Sequence, residues 1–289
     1  VFSMIVRMRK YVVIMALSAA FGIVVCSLAG CTDKKPTHVT DRIDSSATDT
    51  AAVDTMEQII AETPMPKAAD ELFDDFFFNF AANRKLQRKR INFPLPVVRG
   101  GKTTLLQASS WKMEHFFMRQ DFYTLIFDNV RQMNVVKDTT IDHAVVEKIY
   151  LSKRLVKQYV FNRINGEWRM TSIEYQNLKH SKNASFLAFY NKFVNDSAFQ
   201  MSSINDPLAF SGPDPDDDFS NMEGILAPEQ WPSFAPEMPR KMIYNILYGQ
   251  KYTASRQKIF VIRGIANGLE TELTFRKKNG HWKLMKLLM

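Results

Sequence analysis

A few groupings in this chain have residue types and spacing that could do chemistry. His115 and Asp121 would make an acid/base pair if a fold brought them into one pocket, because an imidazole titrates near neutral pH and a carboxylate can orient it. Asp214-Pro-Asp-Asp-Asp218 offers alternate carboxylates as a calcium loop does, but Phe219 stands where the turn needs glycine and Ile225 where a bidentate Glu is needed. Gly101-Lys-Thr103 looks like the end of a phosphate loop, yet Pro96 takes the place of its first glycine and removes a backbone donor. Ser109 and Ser110 lack a nucleophile elbow. His38 lies in the polar tether and His281 beside a hairpin turn, and His115, His143 and His180 share no ligand spacing with Cys or acidic partners. No catalytic set, metal site or cofactor is expected from these residues.

One grouping occurs twice, a cation facing an indole. In Tyr159-Val-Phe-Asn-Arg-Ile-Asn-Gly-Glu-Trp-Arg-Met170 the pair Asn165-Gly166 separates two alternating runs, the strongest short-range hairpin signal, and sets Arg163 opposite Trp168. Phe161, Asn165, Gly166 and Trp168 recur 114 positions later as Phe275, Asn279, Gly280 and Trp282, with Lys277 opposite Trp282. Arg163, Trp168, Lys277 and Trp282 therefore form the candidate surface for a ligand or partner. The simpler reading is a core aromatic capped by a snorkelling cation, because the same face continues as Phe161 and Met170.

The elements that carry these hairpins are also doubled. Phe73, Phe76, Phe77 and Phe80 recur at helical spacing, and 113 positions later stand Phe186, Phe189, Tyr190 and Phe193. The match continues through Gln87 and Gln200, Ile91 and Ile204, and Pro94 and Pro207, which reads as an internal duplication. Each helix is expected to stop before its proline. Strand composition marks 122–127, 144–151, 155–163 and 167–175, then 242–248, 257–262, 269–277 and 281–288. Lys148-Ile-Tyr150 matches Lys258-Ile-Phe260 in this reading. The expected fold is α+β: two tandem cone-like units, 68–180 and 181–289, each a helix on a curved antiparallel sheet closed by an Asn-Gly hairpin, with a boundary near 179–183. The stretch Ser211–Pro239, with Trp231, Phe234 and Met238, reads as a long loop where the first unit has a shorter one with Trp111, Phe116 and Phe117. Such loops are lids over a core or recognition surfaces.

With 289 residues, 46% hydrophobic and 24% charged, the chain can hold two cores. Three of its eight excess cations are Arg7, Arg9 and Lys10. The remainder is too thin for nucleic acid, and the run Arg84-Lys-Leu-Gln-Arg-Lys-Arg90 reads as a solvated helix end. The basic start, the apolar run Tyr11–Val25 and Leu28-Ala-Gly-Cys31 resemble a bacterial lipoprotein signal. The resemblance implies cleavage after Gly30 and acylation of Cys31, so that the bilayer is a partner through that residue. An uncleaved membrane helix over 11–29 is the alternative. Cys26 would be removed, leaving Cys31 alone and no disulfide. Residues 32–67 are polar and aperiodic, a tether with a reach of roughly 30 to 36 Å. Thr32 rather than Asp after the Cys implies, within that family, the outer membrane, and the lack of an acidic cluster there implies its periplasmic face.

The unit from Ala68 onward, with its terminal Asn-Gly-Xaa-Trp hairpin, resembles the nuclear-transport-factor-two-like superfamily and its cystatin-like relatives, in tandem, as found in lipoproteins of gut and oral Bacteroidetes. That superfamily includes binding modules, interaction domains and enzymes with acid/base residues inside the cone. The expectation is an envelope lipoprotein that binds a protein, glycan or small ligand. The alternative is a small-molecule enzyme, an isomerase or hydrolase, using His115 or a pocket carboxylate.

Overall fold

The structure, a computed structural model, describes residues 65–289 except 121, 215, 251–254 and 266. Cys31, the apolar segment before it, the tether up to residue 64 and Asp121 lie outside the described residues. No helix among the described residues is long and apolar enough to cross a membrane.

Phe73, Phe76, Phe77 and Phe80 make the buried stripe of helix α1 (Phe73–Ala82). Asp74 and Asp75 in its first turn suit the positive end of the helix dipole. The helix does not run on towards Pro94. Asn83 breaks it, and the Asn83 side chain accepts from the Leu86 N–H at 2.9 Å to start α2 (Arg84–Arg90). Helices α3 (Ala184–Asn195) and α4 (Ser197–Ser202) repeat this break, with Asp196 accepting from the Phe199 N–H at 2.9 Å. The basic run is more than a solvated face: Arg90 is buried in a two-pronged pair with Asp70 at 2.9 and 2.7 Å.

Twelve strands follow in chain order: β1 (Leu95–Arg99), β2 (Lys102–Leu106), β3 (Phe122–Phe127), β4 (His143–Tyr150), β5 (Leu155–Ile164), β6 (Glu167–Asn177), β7 (Ile204–Asp214), β8 (Asp217–Leu226), β9 (Met242–Leu247), β10 (Gln257–Gly264), β11 (Glu270–Lys278) and β12 (His281–Leu288). The first sheet runs β2-β1-β6-β5-β4-β9 and the second β8-β7-β12-β11-β10-β3. Both are mixed rather than antiparallel throughout, because β1 lies parallel to β6 and β7 parallel to β12. The expected meander covers only β4–β6 and β10–β12. Much of Ser211–Pro239, read as loop, is the hairpin of β7 and β8. Asn165 and Gly166 have φ of 52° and 81°, and Asn279 and Gly280 of 49° and 82°, between paired strand ends. Two successive positive φ values are what a type I′ turn requires.

The two halves do not form two closed units. Strand β3, from the first half, pairs with β10 as the edge of the second sheet, and β9, from the second half, pairs with β4 as the edge of the first. A boundary at 179–183 therefore separates the helices but not the sheets. Both exchanged strands are buried on both faces: Leu125 and Phe127 join the core under α1 while Ile126 joins the core under α3, and Tyr244 and Ile246 face the first core while Ile243 faces the second. Burying these apolar side chains is worth on the order of 10–20 kcal/mol as an upper bound, comparable to the net stability of a typical domain.

Strand register also corrects one correspondence. Lys258 pairs with Phe275 as Ala144 pairs with Phe161, so Ile262, and not Lys258, occupies the place of Lys148.

The exchange sets up a clean test. Fragments 65–182 and 183–289, expressed separately, should show no cooperative unfolding transition, and co-expression should restore a folded one-to-one complex. A fragment 65–182 that melts cooperatively as a monomer, with its own β3 closing the sheet, would overturn the exchanged topology.

Candidate functional site

The repeated cation–indole pair is structural at its first occurrence. Trp168 is fully buried, its ring 5.0 Å from Phe73 in an edge-on contact. Arg163 lies 5.7 Å from that indole and spends its guanidinium on backbone carbonyls, those of Asp70, Glu71 at 3.2 Å and Thr139 at 2.7 Å. Trp168 thus presents no ligand surface. Trp282 packs on Phe186 at 5.6 Å and donates to Ser185 Oγ at 3.3 Å, with the Lys277 ammonium 6.0 Å from its ring. It borders an open cleft beside Phe199 and Lys192, which Lys277 does not line. His115 Nε2 stands 2.8 Å from the Arg119 guanidinium, a cation rather than an acid. Asp214 sits at the turn of β7 and β8, where its carboxylate accepts from the Asp216 N–H at 2.9 Å.

The chemistry of the described residues concentrates instead at the outer end of the inner face of the first sheet. Side chains alternate along a strand, so Lys148 and Tyr150 on β4, Lys157 and Tyr159 on β5, Tyr175 on β6 and Arg99 on β1 share the face that carries the α1 core further in. Tyr244 on β9 opposes Lys148. The loop from Gln107 to Gln120 folds over this face. Its anchor is Gln87, buried on α2: Gln87 Oε1 accepts from Trp111 Nε1 and from the Glu114 N–H, both at 3.2 Å, and Gln87 Nε2 donates to the Glu114 carbonyl at 2.7 Å. Phe116, at φ 49°, turns its ring onto Phe77 and Tyr159 at 4.9 and 4.8 Å.

Held in this way, Glu114 reaches into the sheet. Its carboxylate accepts from the Tyr159 hydroxyl and meets Lys148 Nζ and Lys157 Nζ at 3.4 Å each. Burial alone would push this carboxyl up, but the Tyr159 hydroxyl and the two ammonium groups outweigh it and hold it below its ordinary range. Burial and the Glu114 charge push the Tyr159 hydroxyl well up. Burial also pushes the buried Tyr244 hydroxyl up to about 12, with Lys148 opposing. Lys148 is raised: burial favours its neutral form, and Tyr244 and Glu114 overcome that. No group of this cluster with a shifted pKa is poised to exchange protons near neutral pH.

Beside the cluster opens a cleft of about 490 Å³ between β2, the loop and the sheet. Arg99 stacks on Tyr175 at 3.8 Å, with no acidic partner among the described residues, and Lys157 lies 4.4 Å from the Tyr159 ring. Val97 and Ile173 make the apolar floor. Arg99, Lys112 and Lys157 against the single, already paired Glu114 leave an excess of positive charge. Among the described residues the second sheet carries no such cluster: by register Ile262, Thr271, Leu273 and Thr124 stand where the first sheet has Lys148, Lys157, Tyr159 and Tyr244.

Residues 52–289 match the profile of a family described as a domain of unknown function, DUF4348. Among solved structures, the crystal structure of an ntf2-like protein from Bacteroides fragilis NCTC 9343 is similar at 40% identity and a TM-score of 0.72, over 78% of this chain and 98% of that chain. No curated protein matches.

Glu114→Gln removes the charge that Lys148, Lys157 and Tyr159 hold. It should cost roughly 1–3 kcal/mol of stability at pH 7. A carboxyl held low contributes stability above its unfolded pKa and loses it as pH falls through its folded pKa, so the deficit of the variant should be smaller at about pH 3 than at pH 7. Denaturant melts at the two pH values check this, and an equal deficit at both would refute it.

Proposed function

Because the chain belongs to the DUF4348 family, a domain of unknown function, its role must be argued from its own residues, and we propose a lipid-anchored binding module of the bacterial cell envelope that takes a small anionic ligand in the Arg99–Lys157 cleft. The carrying observation is the stacked, acid-free Arg99 guanidinium beside a lysine already turned towards an anion, the Glu114 carboxylate. A ligand carboxylate or phosphate would meet the same kind of donors that Glu114 meets, with an apolar floor for its remainder. In this reading the chain is a tandem duplication of one cone-like unit, closed in each copy by an Asn-Gly hairpin. Support comes from the Gln–Trp contact present in both halves: Gln87 with Trp111 at 3.2 Å and Gln200 with Trp231 at 3.1 Å.

The enzyme reading needs a general acid or base near its working pH. Glu114 is held low and Tyr159, Lys148 and Tyr244 are held high, which favours binding over proton transfer. The anchor is the acylated Cys31, with residues 32–67 as tether, at the outer membrane and facing the periplasm. The Leu28-Ala-Gly-Cys31 sequence supports it.

Two measurements test this. Titration calorimetry with a panel of small carboxylates and phosphate monoesters should find an anion whose affinity drops about tenfold in Arg99→Ala and in Lys157→Ala, while its fully esterified, uncharged form does not bind. Absence of anion-dependent binding, or indifference to both substitutions, sinks the ligand assignment. Metabolic labelling with a fatty-acid analogue should mark the wild type and not Cys31→Ala; label retained by the variant disproves the anchor.

A further inference from the structure

The opposite face of the same sheet holds a pocket that the anion cleft does not use. Glu147 lies next to Lys148 on β4 and so points the other way. It is 2% exposed at the floor of a pocket of about 330 Å³, where the segment His180–Asn183 leading into α3 crosses the outer face of the sheet. Gln158, Gln176, His143 and His180 line the walls. Gly249 closes one edge at φ 75°, and a Cβ there would come within 3.2 Å of the His143 carbonyl, so the wall is built around glycine.

What distinguishes Glu147 is its company. Oε1 accepts from Gln158 Nε2 at 2.9 Å and Oε2 from Asn245 Nδ2 at 2.8 Å, both neutral amides. Asn245 cannot rotate to offer an oxygen instead, because its Oδ1 accepts from the Ile126 N–H at 2.9 Å. The carboxyl is pushed up by burial, with the two amides opposing. No cation is within salt-bridge reach of it among the described residues, although Lys182 lines the rim. A buried carboxylate with two neutral amide donors and no counter-charge among the described residues is costly, and each oxygen keeps a lone pair free. Here the cost is borne at the floor of a cavity of monosaccharide size lined by amides and imidazoles beside the apolar Val145 and Leu247. An ammonium group brings the missing charge, and its three N–H donors match the carboxylate together with amide oxygens and imidazole nitrogens.

We propose that this pocket is a second binding site, for a small ligand carrying a primary ammonium group that docks on Glu147. A metal ion alone would leave most of the cavity unfilled. The site lies on the far side of the sheet from the Arg99 cleft and has the opposite charge preference, so the two assignments stand or fall separately.

Titration of the full chain with glucosamine and methylammonium tests it, with N-acetylglucosamine and glucose as partners of the same ring that lack the ammonium. Glucosamine should bind and the two neutral sugars should not. Glu147→Gln should weaken glucosamine at least tenfold; the Gln158 amide can turn to present its oxygen to the new amide, so the fold is kept. Should that variant fail to fold, Gln176→Phe fills the pocket without touching Glu147 and should abolish binding with the melting temperature retained. Equal affinity for N-acetylglucosamine, glucosamine affinity unchanged in the folded variant, or no binding of either ammonium probe would each overturn the assignment.

Discussion

The rest of the structure depends on a junction between two sheet edges that have no water to satisfy them. Strands β3 and β9 are the last strands of their sheets, each hydrogen-bonded on one side only, and both are buried. Backbone groups left over at such edges must find partners. Side chains provide them: Asn245 accepts from the Ile126 N–H at 2.9 Å, and Thr124 donates to the Tyr244 carbonyl. Glu147 and Gln158 then hold Asn245 in the orientation this requires. Other cross-half contacts surround the junction. Lys258 from β10 pairs with Asp128 at the end of β3 and with Asn183 of the linker, all buried. Tyr248 donates to Asp74 on α1 at 2.8 Å, where burial raises the Asp74 carboxyl to about 6 with the tyrosine bond opposing.

Much of the element list was legible because alternating and helical periodicities are local. The stripe of Phe73, Phe76, Phe77 and Phe80 could only be a buried helix face, and the strands beginning at Phe122, Leu155, Met242 and His281 were marked by their composition. Strands β1, β2, β7 and β8 were not, for a physical reason: Leu-Pro-Val-Val-Arg99 and the stretch through Pro207, Gly212 and Pro213 carry residues that central strands avoid, and much of β2 and β8 faces solvent at the sheet edges. The exchange itself was hidden, since a period of two announces a strand but not its partner. A trace of it was present in Phe-Tyr-Thr-Leu-Ile-Phe127, a run without charge in which only Thr124 interrupts the apolar and aromatic residues, of the kind buried on both faces. The shifted match of Lys148 to Lys258 failed for the same reason, because only pairing partners fix register.

The site was less legible than the fold. Repetition drew attention to Arg163, Trp168, Lys277 and Trp282, but what repeats in the two halves is an indole packed on a helix phenylalanine, Trp168 on Phe73 and Trp282 on Phe186. The cluster around Glu114 lies where the two halves differ. Glu114 is unremarkable in sequence, flanked by Met113 and His115, and only Gln87 on a distant helix shows why that loop residue faces inward. The available signal was the outward run of Lys148, Tyr150, Lys157, Tyr159 and Tyr175 on strands whose inner positions are Ala, Val and Phe.

That difference explains why the two halves depend on each other. The second sheet fills the place of the cluster with Ile262 and Leu273 and packs Phe234 on Phe210 at 5.3 Å. Its apolar mouth contributes burial, whereas the first sheet gives up burial there for lysines and tyrosines that must be kept hydrated or paired. Tyr244, which lies against Lys148 in the polar mouth, comes from the second half on the exchanged strand. The second half therefore reaches into the polar mouth of the first sheet with Tyr244 as well as with the strand that completes that sheet. Loss of β9 would unpair β4 and remove Tyr244 at once, so the fold of the first sheet and the chemistry of its mouth rest on one segment contributed by the other half.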